Sequence, residues 1–404
     1  MASGNLIIQI YADNEANPVK DAQVTITADN YQKTYFSDES GKIVINNLSA
    51  PDKMYSMYPQ NEVRPYSTYN LKAEKQGLQT TFINNVEVMD GQTSIQSIYM
   101  SSNPIKRVYA DIINLPGHSL WENDPGKVSE DLFSEERAFP EVLIPEYIIV
   151  HDGIPSNTNA SNYIVRFIDY IKNVASSEIY STWPKEAITA NVHAIVSFTL
   201  NRIFTEWYKS RGYNFTITSS PQYDQYYVHN RTIYQSISNV VDEVFSKYIR
   251  IYNNQFPFFA QYNDGIKTNN PGWLSQWGSK EKGDQGYSAL EILKYFYTTN
   301  LELVEADEII GLPLSFPGYN LKNGMCGEAI YKIQNELNKV SGSYPAIPKI
   351  IPANGKFEKS TEDSVRKFQS VFNIPVTGII NFATWYEISY KFIAVSRMID
   401  GISR

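Results

Sequence analysis

Two glutamates, Glu178 and Glu186, stand eight positions apart in "SSEIYSTWPKEAI", with a tryptophan and a proline between them. A carboxyl group can give a proton to a leaving oxygen and, once ionised, take a proton back. The state each glutamate favours follows from its place on a helix. Pro184 suits a first helical turn, where its missing N–H costs nothing, so Glu186 falls in that same turn. The free N–H groups and positive dipole end there favour its charged form, which makes Glu186 a helix complement and a poor acid. Glu178 lies three residues after Ala175 and continues the stripe Ile164, Ile168, Ile171 and Ala175 of the preceding helix. It also stands at that helix's C-terminal end. The dipole and partial burial both oppose its negative charge, so its pKa is expected to rise. That is the setting of an acid that keeps its proton near neutral pH. A Glu178 turned outward into solvent at a frayed end is the other reading of the same residues.

Hydrolysis of a glycosidic bond takes a second carboxylate at a set distance. Asp224 and Asp264 are available for it, although both sit in sequences that suit turns and caps. Gln225, Tyr226, Gln261, Ser275 and Gln276 are neutral donors and acceptors fitted either to sugar hydroxyls or to loop hydrogen bonding. The four histidines, His118, His151, His193 and His229, have no metal-ligand spacing, and no glycine-rich phosphate loop is present. No metal and no cofactor are expected. Cys326 has no histidine partner in the sequence and reads as a small core residue.

The elements that must position these groups fall into four stretches. Residues 1 to 100 carry short runs rich in β-branched residues, "NLIIQIYAD" and "AQVTITADN" among them, separated by turn sequences. They predict a small antiparallel β-sandwich. Residues 101 to 140 hold four prolines and an acidic tract, and read as a linker open to proteolytic processing. Residues 141 to 310 predict an α+β domain. One helix runs through Ile164 to Glu178, a second carries Ile188, Val192, Ile195, Thr199 and Ile203, and a third carries Ile233, Ile237, Val240, Val244 and Tyr248. Residues 311 to 398 predict a separate three-helix unit.

Bulk properties narrow the partners. A net charge of −8 with a pI near 5.2 argues against nucleic acid. No run of 18 apolar residues is long enough for a membrane span, and "MASGNLIIQIYADNE" shows no secretory signal. One cysteine allows no intrachain disulfide. The 30 tyrosines and 6 tryptophans suit both core edges and surfaces that meet sugars or proteins.

Several stretches resemble known families. "PVKDAQVTI" with "SDESGKIVINNL" resembles the carboxypeptidase-regulatory-like sandwich domains. "YIKNVASSEIYSTWPKEAITANVHAIVSFTLNRI", "SSPQYDQYYVHNRTIYQSISNVVDEV" and "PGWLSQWGSKEKGDQGYSALEILKYFY" are similar to successive motifs of the sporulation stage II protein D family. Its members are peptidoglycan lytic transglycosylases, and the family's proposed catalytic glutamate maps onto Glu178. Gln225, Ser275 and Gln276 carry its other motifs. Val196-Ser197 and "AQYNDG" depart from its pattern, which leaves the accessory residues open. "GEAIYKIQNEL" and "NGKFEKSTEDSVRKFQSVFNIPVTGIINFATWYEI" resemble the three-helix peptidoglycan-binding module, with Phe357, Phe368, Gln369 and Trp385 at its characteristic positions.

The order of sandwich, linker, transglycosylase-like region and binding module is similar to that of the clostridial spore cortex-lytic enzymes. The resemblance implies a zymogen acting on spore cortex peptidoglycan. It also implies a location in the cortex or coat region and a germination protease that removes the N-terminal part. The competing expectation is a non-catalytic peptidoglycan-binding scaffold, such as a spore-coat or phage-tail component.

Overall fold

The computed structural model describes residues 2–12, 19–38, 41–101, 110–122, 142–306, 308–309, 316–371 and 375–399. Strands β1 (Ser3–Ala12), β2 (Gln23–Ala28), β3 (Tyr31–Phe36), β4 (Lys42–Ser49), β5 (Ser67–Glu74), β6 (Thr80–Val88), β7 (Thr93–Met100) and β8 (Ala110–Asn114) form the N-terminal region. Their alternating apolar residues turn inward. Leu6, Ile8 and Ile10 of β1 meet Val24, Ile26, Leu71 and Ile83 of the second sheet in one core.

The sandwich is not wholly antiparallel, as the sequence predicts it to be: each of its two sheets holds a parallel pair. β1 pairs parallel with β7, and β6 pairs parallel with β8. β7 returns along the free edge of β1 after the chain has crossed to the other sheet, and parallel neighbours need such a long connection. β8 also shows that part of the stretch expected to be linker belongs to this sheet. The expected processing segment falls mostly on residues 102–109 and 123–141, which lie outside the described residues.

The central region contributes β9 (Leu143–Ile144), β10 (Tyr147–His151), β11 (Asn162–Arg166), α1 (Phe167–Glu178), α2 (Lys185–Phe204), β12 (Ile217–Thr218), β13 (Ile233–Tyr234) and α3 (Gln235–Val244). It continues with β14 (Lys247–Ile251), β15 (Tyr262–Asn263), β16 (Leu274–Ser275), α4 (Gln276–Asp284), α5 (Ala289–Phe296), β17 (Leu301–Glu305) and β18 (Glu308–Ile309). Two helices are shorter than the periodicity predicts. Ile164 lies in β11 and is 74% exposed, and Ile233 and Tyr248 lie in β13 and β14. In each case a β-branched or aromatic run next to the helix finds a strand partner, and tertiary pairing overrides the helical spacing.

α1 is buried around nearly its whole circumference, and α2 over most of its length. They are the hub on which α3, α4, α5 and β14 pack. The boundary with the sandwich is closed. β13 adds antiparallel to β7 and extends the four-stranded sheet β13-β7-β1-β4.

Helices α6 (Glu328–Ser343), α7 (Lys359–Val371) and α8 (Phe382–Ile399) enclose a third core around Ile333, Leu337, Phe357, Val365, Phe368 and Trp385. Among the described residues no helix is long and apolar enough to cross a membrane.

Candidate active site

Glu178 is the last residue of α1 and is 4% exposed, so it does not turn outward into solvent. The main-chain N–H of Tyr226 donates to its Oε1 at 2.7 Å. Burial opposes the carboxylate and this hydrogen bond favours it. Tyr262, in β15, lies against the same carboxyl. Burial first, and then the charge of Glu178, push the Tyr262 phenol well above its usual range. Tyr170 on α1 is raised by burial and then by the charges of Asp224 and Glu178. Glu178 therefore occupies a buried polar pocket walled by phenols.

Glu186 is elsewhere. It is exposed in the first turn of α2, and its Oε2 accepts the main-chain N–H of Ala289 at 2.7 Å. Ala289 is the first residue of α5, so the carboxylate complements two helix N-termini and fastens α2 to α5.

Neither aspartate is free to assist Glu178. Asp224 is fully buried and accepts from Arg202 Nε at 2.7 Å, Tyr208 Oη at 2.7 Å, Thr218 N at 2.8 Å and Thr218 Oγ1 at 2.7 Å. Four donors saturate it. Asp264 binds the main-chain N–H groups of Ile266, Lys267 and Thr268 and makes the turn its sequence predicts.

The neutral candidates divide. Gln225 is fully buried; its Oε1 accepts from Tyr170 Oη and Thr199 Oγ1, both at 2.9 Å, and its Nε2 donates to the Ile195 carbonyl at 3.2 Å. Its amide joins α1 to α2 and does not reach a sugar. Ser275 caps α4, its Oγ accepting the Gly278 N–H at 2.9 Å, so its hydroxyl is used within the fold. Gln276 opens that helix and is buried. Gln261 is half-buried, and its carbonyl accepts from Leu274 N and Tyr297 Oη. Tyr226 supplies the N–H to Glu178, while its ring is half-buried against the sandwich core. Tyr262, next to the candidate Gln261, is the group that lies against Glu178, and no local pattern in the sequence marks it, since both residues of β15 are buried.

The chain around Glu178 is covered by the N-terminal 122 residues. Ser119 N–H donates to the Ser177 carbonyl at 3.0 Å, and His118 Nε2 meets the Ile179 carbonyl at 3.2 Å. Ser181 Oγ donates to Met89 Sδ at 3.4 Å, Thr182 Oγ1 pairs with Ser56 Oγ at 2.6 Å, and Trp183 Nε1 donates to the Ser56 carbonyl at 2.9 Å. Further along the same boundary, Arg231 and Glu87 form an ion pair of 2.9 Å that is almost wholly buried, and Tyr234 Oη donates to the same Glu87 oxygen. A groove of about 750 Å³ between the sandwich and the central region is lined by Tyr99, Tyr147, Ile164, Asp169, Lys172 and His229, and Glu178 is not part of its wall.

Burial pushes His118 well below its usual value and His193 down to about 4. Among the described residues no cluster of His, Cys, Asp and Glu could hold a metal ion. Cys326 is exposed at the start of the third unit, not in its core. It pairs with Lys356 in an isolated bridge, which leaves its side chain at the surface.

In the third unit Phe357, Phe368 and Trp385 are core residues and do not face a ligand. Gln369 is fully buried and closes the Thr377-Gly378 turn, its Oε1 accepting both main-chain N–H groups at 2.9 and 2.8 Å. Gln334 does the same for Gly355, at 2.9 Å. The two glycines sit at φ of +72° and +73°, a backbone region that favours glycine. The repeated Gln and Gly positions are thus a framework that builds the module.

Residues 326–388 match the family model described as "Putative peptidoglycan binding domain". The chain therefore carries a peptidoglycan-binding domain, which supports association with the cell wall. No curated protein matches the chain. Similar solved structures include the Bacillus anthracis TIE protein, at 16% identity over 25% of this chain and 16% of that one, with a TM-score of 0.19. A cohesin–X-dockerin complex from Acetivibrio cellulolyticus shows 21% identity over 24% of this chain and 56% of that one, at 0.17. 3-Chlorocatechol 1,2-dioxygenase from Rhodococcus opacus 1CP shows 8% identity over 25% and 60%, at 0.15. Likenesses at these scores bear on neither the fold nor the activity.

Proposed function

We propose that the chain is a peptidoglycan lytic transglycosylase of the spore cortex, held inactive by its N-terminal part and activated by a germination protease. The observation that carries this reading is the setting of Glu178. It is a buried carboxyl at a helix C-terminus, held by the Tyr226 N–H, with no second carboxylate available to it from Asp224 or Asp264.

One carboxyl suffices for this chemistry. Protonated Glu178 gives its proton to the glycosidic oxygen as the C1–O bond breaks. The resulting carboxylate then takes the proton of the sugar's own 6-hydroxyl as that oxygen bonds to C1. Glu178 is left protonated, and the product is a 1,6-anhydro sugar. Net hydrolysis would need a water and a base to activate it.

Cover of the neighbouring chain supports inactivity of the uncut form. The stretch Ser177 to Trp183 is held by Ser56, Met89, His118 and Ser119, and a glycan strand lying along it would have to displace them. The reading is tested by treating decoated spores with the uncut chain and with chain cut between residues 123 and 141. Release of muropeptides only after cutting supports it, and equal release before and after cutting overturns the inhibitory role. A cut chain that binds sacculi and releases nothing would make it a scaffold instead.

A further inference from the structure

Tyr180, Trp183 and Trp277 form an aromatic cluster directly after Glu178. The two indoles have centroids 5.0 Å apart, and Tyr180 meets them edge-on at 5.9 and 6.0 Å. All three are buried, and residues before the central region supply part of the cover of Tyr180 and Trp183. Met57, Leu120 and Trp121 pack against the large central core to which the three belong, and the His118 ring stacks on Tyr180 at 4.4 Å.

The polar contacts repeat one pattern. A flat ring lies on Tyr180, a hydroxyl meets the Thr182 hydroxyl, and an amide carbonyl accepts the Trp183 N–H. An N-acetylated pyranose offers the same three features: an apolar ring face, a ring hydroxyl and an acetamido carbonyl. Aromatic side chains with a polar edge are suited to a partner that is apolar on one side and polar on the other. Thr182 and Trp183 follow Glu178 by four and five residues, on the segment that leads from α1 into α2.

We infer that Tyr180, Thr182, Trp183 and Trp277 form a subsite for an N-acetylhexosamine of the glycan strand, occupied in the uncut chain by Ser56 and His118. The inference rests on the reading of Glu178 as the catalytic group and adds the residues that seat the substrate beside it. It also explains how the N-terminal part inhibits: it fills the sugar site as well as shading the carboxyl.

The test is binding without turnover. The probe is a peptide-free tetrasaccharide of alternating N-acetylglucosamine and N-acetylmuramic acid, titrated calorimetrically into the full chain carrying Glu178→Gln. The protein is compared uncut and after a cleavage site placed between residues 123 and 141 has been cut and the N-terminal piece separated. The C-terminal module gives the same signal in both. The expected result is a second binding event in the cut protein, weakened at least tenfold by Trp183→Leu and largely kept by Trp183→Phe. In the uncut chain, Ser56→Arg should displace the covering segment and produce the same second event, which keeps the test decisive if Trp183→Leu does not fold or the piece stays attached. A second event untouched by Trp183→Leu, or none in the cut protein and in Ser56→Arg, overturns the subsite. Recovery of the intact tetrasaccharide after the titration shows that binding was read without turnover, whichever carboxylate proves to be the catalyst.

Discussion

The indole N–H of Trp183 donates to the main-chain carbonyl of Ser56 at 2.9 Å, across 127 positions of sequence. Ser56 belongs to a short 3-10 turn, Lys53–Ser56, between two strands of the sandwich, and Trp183 stands at the entry to α2. The contact ties the N-terminal region to the stretch that follows Glu178. Strand addition by β13 and the Arg231–Glu87 pair hold the same boundary. Three different kinds of interaction thus close one interface, and each can be weakened separately.

The buried ion pair gives the first prediction. Glu87→Ala leaves the Arg231 guanidinium buried without its carboxylate, and breaking such a pair costs about 3–5 kcal/mol. The melting temperature of the full chain should fall and the uncut protein should gain muropeptide release. The double replacement of Glu87 and Arg231 by Met should recover most of the stability. Thermal melts of the single and double variants decide it, and a Glu87→Ala chain as stable as the parent would contradict the assignment.

Glu186 should prove structural. Glu186→Gln keeps an acceptor for the Ala289 N–H and loses only the charge, a change of about 1 kcal/mol or less near a helix N-terminus. Activity of the cut protein should stay within a fewfold of the parent. An inactive Glu186→Gln protein that melts normally would move the catalytic role from Glu178 to Glu186.

Gln369 is predicted to be a stability residue of the wall-binding module. Leucine at this position leaves the Thr377 and Gly378 N–H groups without their acceptor, at a cost of about 1–3 kcal/mol per buried group. Urea unfolding of the module should show the loss, while cleavage of soluble glycan fragments should be unchanged. Normal stability with lost sacculus binding would instead make Gln369 a ligand contact.

Glu336 gives the module a pH dependence. It is buried between α6 and α8, where Ser389 Oγ donates to its Oε2 at 3.1 Å. Burial raises its pKa from 4.5 to about 7, against the opposing effects of Ser389 and the Lys332 charge. The folded state therefore binds the proton more tightly than the unfolded chain, and stability must fall as pH rises from about 4.5 through about 7. The total fall is of the order of 3 kcal/mol. Glu336→Gln should flatten the profile and stabilise the module at pH 8. A parent module equally stable at pH 5 and pH 8 would contradict this.

Much of the site was legible in the sequence because local rules and tertiary structure agree there. Proline and glutamate at the start of α2, the buried stripe through Ile168, Ile171 and Ala175 to Glu178, and the turn at Asp264 all follow from neighbours within a few residues. The misreadings come from partners far away in sequence. Ile164 and Ile233 fit a helical period, yet β10 and β7 recruit them into strands. Gln225 has the chemistry to bind a sugar, but Tyr170, Thr199 and Ile195 close around it. Phe357, Phe368 and Trp385 mark the binding module because they build its core. No local signal announced that Ser56 and His118 would cover Trp183 and Tyr180, since that contact exists only once two regions have docked.

The most direct measurement is mass spectrometry of cortex glycan digested by the cut chain, beside the same digestion by Glu178→Gln. One-carboxylate chemistry predicts muropeptides ending in 1,6-anhydromuramic acid, about 18 Da lighter than their hydrolysed counterparts. The Glu178→Gln protein should release none while still folding and pelleting with sacculi. Reducing-end muramic acid as the main product, or undiminished release by Glu178→Gln, would contradict the account.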